Sequence, residues 1–319
     1  MSMVFSLFII VACVFLMMVP GYAAIRRAWM GSEGIMSLSR LMINVIYPCL
    51  IFTSVTEKFT WRELLRAWPL PAATVIIMLV GYAVGRLVCW RLRFPGEAHR
   101  RAFLFQTTVN NYSFFPMGLV AQLYGPEGVA ALIFSTLGAE AAMWTLGVMT
   151  LSGAPPGKAA LKHLLSPALL ALYASLACLA VFDAAGIDPA VFTARGTALA
   201  TLHGTAKAIG ACTVPVAMII GGARIAQLVP DDLRTAHVWL VSLLRLVGIP
   251  LLAVPALRML PLEPMHAAVM IIVAVMPVSI ASLMFSEVYG GDKALMGGSV
   301  LLTHVLALLT VPLLLALLL

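Results

Sequence analysis

The sequence predicts an all-α polytopic membrane protein of ten transmembrane helices, arranged as two inverted five-helix repeats. Three observations predict it. The 319 residues are 62% hydrophobic and only 10% charged, whereas soluble domains run at about 45–50% and about 25%. Ten apolar stretches follow one another along the chain, and short motifs recur in its two halves at nearly one offset. This composition excludes a soluble globular enzyme, a disordered chain and a disulfide-stapled module. A spanning helix takes roughly 20 apolar residues, so ten spans leave room for loops and for no separate soluble domain.

The spans are read at 3–24, 35–56, 67–90, 101–124, 127–151, 164–185, 198–223, 236–260, 265–289 and 293–319. The first is read as a retained helix. It has no Lys or Arg before Pro20 to form the charged start of a signal peptide, and its apolar run is longer than such a peptide needs. The net charge of +7 points to membrane topology rather than to nucleic acid, because the basic residues sit in short loops. Loops after odd-numbered spans hold Arg26, Arg27, Arg40, Arg86, Arg91, Arg93, Arg100, Arg101, Lys158, Lys162, Arg224, Arg234 and Lys293. Loops after even-numbered spans and the two ends hold Lys58, Arg62, Arg66, Arg195 and Arg258. The positive-inside rule then puts the odd loops in the cytoplasm and both termini outside, in a bacterial-type inner membrane. Cys13, Cys49, Cys89, Cys178 and Cys212 all lie in apolar segments without a CxxC. They read as small apolar residues, and no metal or cofactor is expected.

The fourth span ends Tyr124-Gly125-Pro126-Glu127 and the ninth ends Tyr289-Gly290-Gly291-Asp292, 165 residues later. Arg40 and Pro48 in the second span match Lys207 and Pro215 in the seventh at an offset of 167, and Pro116 precedes Pro277 by 161. Residues 1–151 therefore form one repeat and 164–319 the other, with 152–163 a cytoplasmic linker. Each repeat holds five spans, an odd number, so the second enters the membrane upside down. Inverted repeats of this kind mark secondary transporters. Scaffold and transport domains are expected to draw helices from both repeats.

Proline inside a helix removes a backbone bond and clashes with the preceding turn. Such breaks are tolerated in lipid only where protein or a wet cavity satisfies the freed groups. The fourth span carries Asn110, Asn111, Tyr112 and Ser113 before Pro116, and the ninth carries Pro277, Ser279 and Ser282. These eight residues are the expected substrate site, built where two broken helices aim their half-helix N-termini at an anion. The alternative is an ordinary proline kink with Ser and Asn joining helices. Pro48 and Pro215 are expected kinks in the second and seventh spans.

Charges inside a span cost about 2.5–3.5 kcal/mol and need a reason. Glu140, among small residues of the fifth span, is a candidate proton site or a structural partner for a nearby polar group. His304 in the tenth span is a second proton candidate or a packed core histidine. Lys207 and Arg40 suit snorkelling to opposite interfaces. Arg245 is a candidate anion-attracting charge. If transport is coupled, Glu140 and His304 favour protons over sodium, since no acidic cage for a hard cation is visible mid-span. There is no HExxH, GxSxG, Walker or GxGxxG pattern, so no enzyme is expected.

Four stretches carry a family resemblance: Leu41 through Phe52, Asn111 through Glu127, Ala211 through Ala223, and Met276 through Asp292. In order and spacing the chain resembles the auxin efflux carrier family, which includes plant PIN proteins and bacterial malonate and malate carriers. The family's fourth span commonly reads Asn-x-Gly-Phe-x-Gly-x-Pro. Here Asn111 and Phe114 match, Ser113 and Pro116 replace the glycines, and Gly118 stands where the proline is usual. The resemblance implies crossing fourth and ninth helices, a carboxylate-bearing substrate bound near the crossing, and a homodimer. Because of the departures it is not extended to auxin. The expected function is secondary transport of a small organic anion, a mono- or dicarboxylate, by alternating access. A passive anion channel and, further off, a membrane-embedded enzyme are the rival readings.

Overall fold

A computed structural model of the chain describes residues 3–153, 165–194, 196–228, 233 and 235–319. Met1, residues 154–163 of the expected linker, and the loop charges Lys158, Lys162, Arg195 and Arg234 lie outside the described residues. The described residues are all-helical and contain no strand. Among the described residues, eight helices are long and apolar enough to cross a membrane: α1 (Phe5–Arg26), α2 (Ser32–Lys58), α3 (Trp61–Arg91), α5 (Phe114–Ser152), α6 (Pro167–Ala185), α7 (Ala198–Ile225), α8 (Ala236–Leu257) and α11 (Lys293–Leu318). Three shorter ones stand between them: α4 (Glu97–Thr108), α9 (Pro264–Ala274) and α10 (Ser282–Tyr289).

The fourth expected span, 101–124, is α4 plus the first turns of α5, and the ninth, 265–289, is α9 plus α10. Non-helical backbone separates each pair, at 109–113 and 275–281. α5 also turns at Gly125, where φ is 60° and ψ is −156°. Gly290 has the same kind of backbone, φ 80° and ψ −176°, at the end of α10. Both are the glycines of the recurring Tyr-Gly-x-acid turn, and only glycine occupies that region without strain.

Local sequence sets the other ends. α3 starts at Trp61 rather than at 67 because Thr60 and Glu63 form a reciprocal capping box. Asp292 caps α11, its carboxylate accepting the Leu295 N–H at 2.9 Å. Wide π-turns at Met42–Ile46 and Leu244–Gly248 precede Pro48 and Pro250. A proline cannot supply the N–H of a regular turn, and a wide turn absorbs the mismatch. In α7 the helix is interrupted at Ala211 and Cys212, just before Pro215. The two irregular turns touch: the Thr213 hydroxyl donates to the Ile46 carbonyl at 3.5 Å.

α7 packs on α1 and α2, and α6 packs on α2. α3 packs on α4 and α5, α8 on α3 and α11, and α9 on α5. Between these groups the two breaks meet, and Phe105 and Phe115, which flank the first break in sequence, are fully buried.

Candidate functional site

The breaks join through their backbones. Asn110 and Val278 form an antiparallel bridge, and the Asn111 N–H donates to the Pro277 carbonyl at 2.8 Å. The Asn110 side chain donates to the Val273 carbonyl at 2.7 Å, which satisfies one of the last carbonyls of α9. Two segments that left helical geometry thus supply partners to each other, as a low-dielectric setting requires.

Beside this junction lies a cleft of about 150 Å³, room for roughly ten waters. Its walls are the first half of α2 (Ser39 to Tyr47), the second half of α7 (Ala217 to Arg224), the α4–α5 break and the α9–α10 break. Four expected site residues line it: Asn111, Tyr112, Ser113 and Ser279. Asn110, Pro116, Pro277 and Ser282 are buried behind it and serve the junction and its packing instead. The starts of α5 and α10 both face the cleft, through Phe114 and through Ile280, Ala281 and Met284. The Asn111 amide oxygen sits 3.5 Å from the Phe115 N–H, and its Nδ2 makes no hydrogen bond among the described residues. The Ser113 hydroxyl hydrogen-bonds to the Tyr47 hydroxyl at 3.0 Å.

Glu140 lines the same cleft. Its carboxylate accepts from the Tyr112 hydroxyl at 2.9 Å and from the Trp144 indole N–H at 2.9 Å. The cleft's cation is Arg224, which makes no ion pair or hydrogen bond among the described residues. One wall therefore carries a carboxyl group held by two donors, and another carries a cation with donors to spare. Neither Arg224 nor Tyr47 belongs to the polar runs of the two broken spans. Tyr47 lies inside the stretch Leu41 through Phe52, beside Pro48, and Arg224 directly follows the stretch that ends at Ala223.

The remaining candidates lie elsewhere. His304 donates through Nδ1 to the Val300 carbonyl at 2.8 Å and packs edge-on against Phe115, away from Glu140. Lys207 pairs with Glu57 at 2.6 Å, and His203 stands beside the same carboxylate at 3.6 Å. Arg40 is exposed and donates to the Met36 sulfur. Arg245 is fully buried behind the junction. Among the described residues no three His, Cys, Asp or Glu side chains gather as a metal site.

The model of the family described as "Membrane transport protein" matches this chain over residues 6–160 and 156–315, nearly its whole length. The chain belongs to this family, the auxin efflux carriers. An uncharacterized transporter of Methanothermobacter thermautotrophicus is 26% identical over 309 residues, 95% of each chain. Protein PIN-LIKES 2 of Arabidopsis thaliana is 35% identical over 63 residues, 20% of this chain and 14% of that one. This auxin efflux carrier family protein is accordingly a multi-pass membrane transporter.

Proposed function

We propose that the protein carries a small organic anion, a mono- or dicarboxylate, across the inner membrane by alternating access. The observation that carries the reading is the cleft at the junction. Two half-helix N-termini converge on a space of small-molecule size, together with the Asn111 amide nitrogen and Arg224, neither of which has a partner among the described residues. N-termini carry about +0.5 charge each and offer N–H groups. Glu140 opposes a bound carboxylate unless it takes a proton, so substrate and proton bind together. In this reading Glu140 is the coupling group and sodium is not needed.

The architecture we infer is ten passes in two inverted repeats, with the fourth and ninth helices crossing at the junction. α1, α2, α6 and α7 are the scaffold, and the other helices form the transport domain. Contacts between helix ends support the ten passes, because each joins ends of the same parity. Gln227 bonds Ser32, His99 bonds Asp292, and Arg101 bonds the Ser152 carbonyl at the Lys/Arg-rich ends. Lys58 pairs with Glu127, Arg62 with Asp183, and Arg258 with the Leu318 carbonyl at the others. A second cavity, of about 320 Å³, supports the inversion. Its α2 wall runs from Leu50 to Lys58 and its α7 wall from Lys207 to Val214. An offset of 167 carries the α7 wall of the first cleft onto the α2 wall of the second, and the α2 wall onto the α7 wall.

The test is uptake in proteoliposomes. Saturable carboxylate uptake with counterflow is expected, driven by an inward proton gradient. Glu140→Gln should lose accumulation and keep exchange. Asn111→Ala and Arg224→Gln should each weaken binding about tenfold or more, since hydrogen bonds to charged groups are worth roughly 1.5–3 kcal/mol. Unchanged affinity in both folded variants would place the site elsewhere, and conduction far above carrier turnover would make the protein a channel.

A further inference from the structure

The junction joins two half-helix N-termini on the side of the cleft. Behind it, two half-helix C-termini converge, those of α4 at Thr108 and α9 at Ala274. The last carbonyls of a helix lack partners in the helix, and each C-terminus carries about −0.5 charge. Both ends are fully buried: Thr107, Thr108, Val273 and Ala274 are at most 1% exposed. Several carbonyls find local partners, the Val109 N–H reaching Phe105 at 2.8 Å and the Val275 N–H reaching Ile271 at 3.1 Å.

One side chain spans both ends. The Arg245 guanidinium donates through Nη2 to the Ala274 carbonyl at 2.8 Å and through Nη1 to the Thr107 carbonyl at 3.5 Å. Arg245 is 0% exposed, and no carboxylate pairs with it among the described residues. Its Nε is buried without an acceptor among the described residues. It projects from the π-turn Leu244–Gly248 of α8, an irregular turn of the kind frequent at functional sites. A full charge in this setting needs a counter-charge, and the two C-termini together supply about one negative charge. In carriers built on broken helices, unwound carbonyls and half-helix C-termini are the groups that coordinate a coupling cation.

We propose that Arg245 is a resident cation at the helix junction, filling the role of an alkali cation there, so that the protein binds and needs none. The transport arm of the test rests on the carrier reading above, and the stability arm does not.

The experiment compares the purified protein in NaCl, KCl and choline chloride at matched ionic strength, with low, non-denaturing guanidinium chloride as a fourth condition. Wild type and Arg245→Lys should melt at the same temperature in sodium, potassium and choline. Arg245→Met should melt lower in choline, by about 5 °C or more, and recover selectively in sodium or guanidinium. A packing role would not respond to the identity of the cation. A stable Arg245→Met that ignores all four cations overturns the proposal, as does selective stabilisation of wild type by sodium. If Arg245→Met cannot be isolated, Arg245→Lys decides. A folded Lys variant supports a role for charge, and its failure to fold as well overturns it. In proteoliposomes, wild-type uptake should be unchanged when choline replaces sodium, and a strict sodium requirement overturns the proposal. No uptake of any carboxylate, with the melting pattern intact, removes the carrier reading alone.

Discussion

His99, His237 and Asp292 sit 138 and 193 residues apart in pairs along the chain, yet they form one clasp. The His99 Nδ1–H donates to the Asp292 carboxylate at 2.7 Å, and its Nε2 meets His237 Nδ1 at 3.2 Å. The clasp ties the starts of α4, α8 and α11. Burial pushes the Asp292 carboxyl up, but the Leu295 N–H and His99 more than offset this and hold it below the ordinary aspartate range. A carboxyl depressed in the folded state stabilises fully above its unfolded pKa of about 3.9. That contribution is lost as pH falls through the lower folded value. Asp292→Ala should therefore cost about 0.5–2 kcal/mol at neutral pH, the usual worth of an N-cap. Melting curves taken from neutral to acid pH should show the deficit shrinking towards the acid end. A deficit independent of pH would mean that the carboxylate charge is irrelevant. Of this clasp the sequence marks only Asp292, as the acid of the recurring turn, because its partners come together only through tertiary packing. Glu140 was legible for the opposite reason: a carboxylate inside an apolar span stands out whatever its partners are.

Each broken helix was legible because its cause is local. Pro116 and Pro277 beside runs of polar residues cannot continue a helix in lipid, and the backbone leaves helical geometry at 109–113 and 275–281. The roles within the breaks were less legible. Asn110 and Asn111 are neighbours of the same type, but one secures α9 and the other lines the cleft, a division set by backbone direction. The π-turns were also hidden, since their five-residue segments differ little in composition from regular helix. The recurring glycine turn can be tested directly. Nothing lies within 4 Å of a side-chain carbon built on Gly125 or Gly290, so alanine there meets no clash and feels only the backbone. Gly125→Ala and Gly290→Ala should each destabilise by about 1–3 kcal/mol. Gly96→Ala is the control, equally open but at an extended φ of −175°, and should be close to neutral. Equal melting temperatures for all three would remove the backbone requirement and the match between the two turns.

At the scale of the molecule, the two cavities differ in one respect that bears on the state described. The first cleft, at the Lys/Arg-rich end, has an Arg224 that makes no ion pair or hydrogen bond among the described residues. The 167-residue offset carries Arg224 onto Glu57, and that carboxylate is engaged. Lys207 holds it at 2.6 Å, and Thr56 bonds His203 at 3.1 Å beside it. Both links join the end of α2 to the start of α7, which are walls of the second cavity. We expect this pair to hold the α2 and α7 walls of the second cavity together and to break when that cavity widens. Lys207 is 59% exposed, so water screens the pair, and about 0.2–1 kcal/mol is the appropriate size. Glu57→Gln should then move the equilibrium between states by roughly 1.5-fold to fivefold towards the second cavity. In a cysteine-free background, Thr53→Cys should react faster with a membrane-impermeant thiol reagent when Glu57→Gln is present, and Ser39→Cys more slowly. Opposite signs at the two positions are the signature of one equilibrium connecting the two cavities. Faster labelling at both would mean that the substitution merely loosens the helices. No change at either would detach the Lys207–Glu57 pair from the transport cycle.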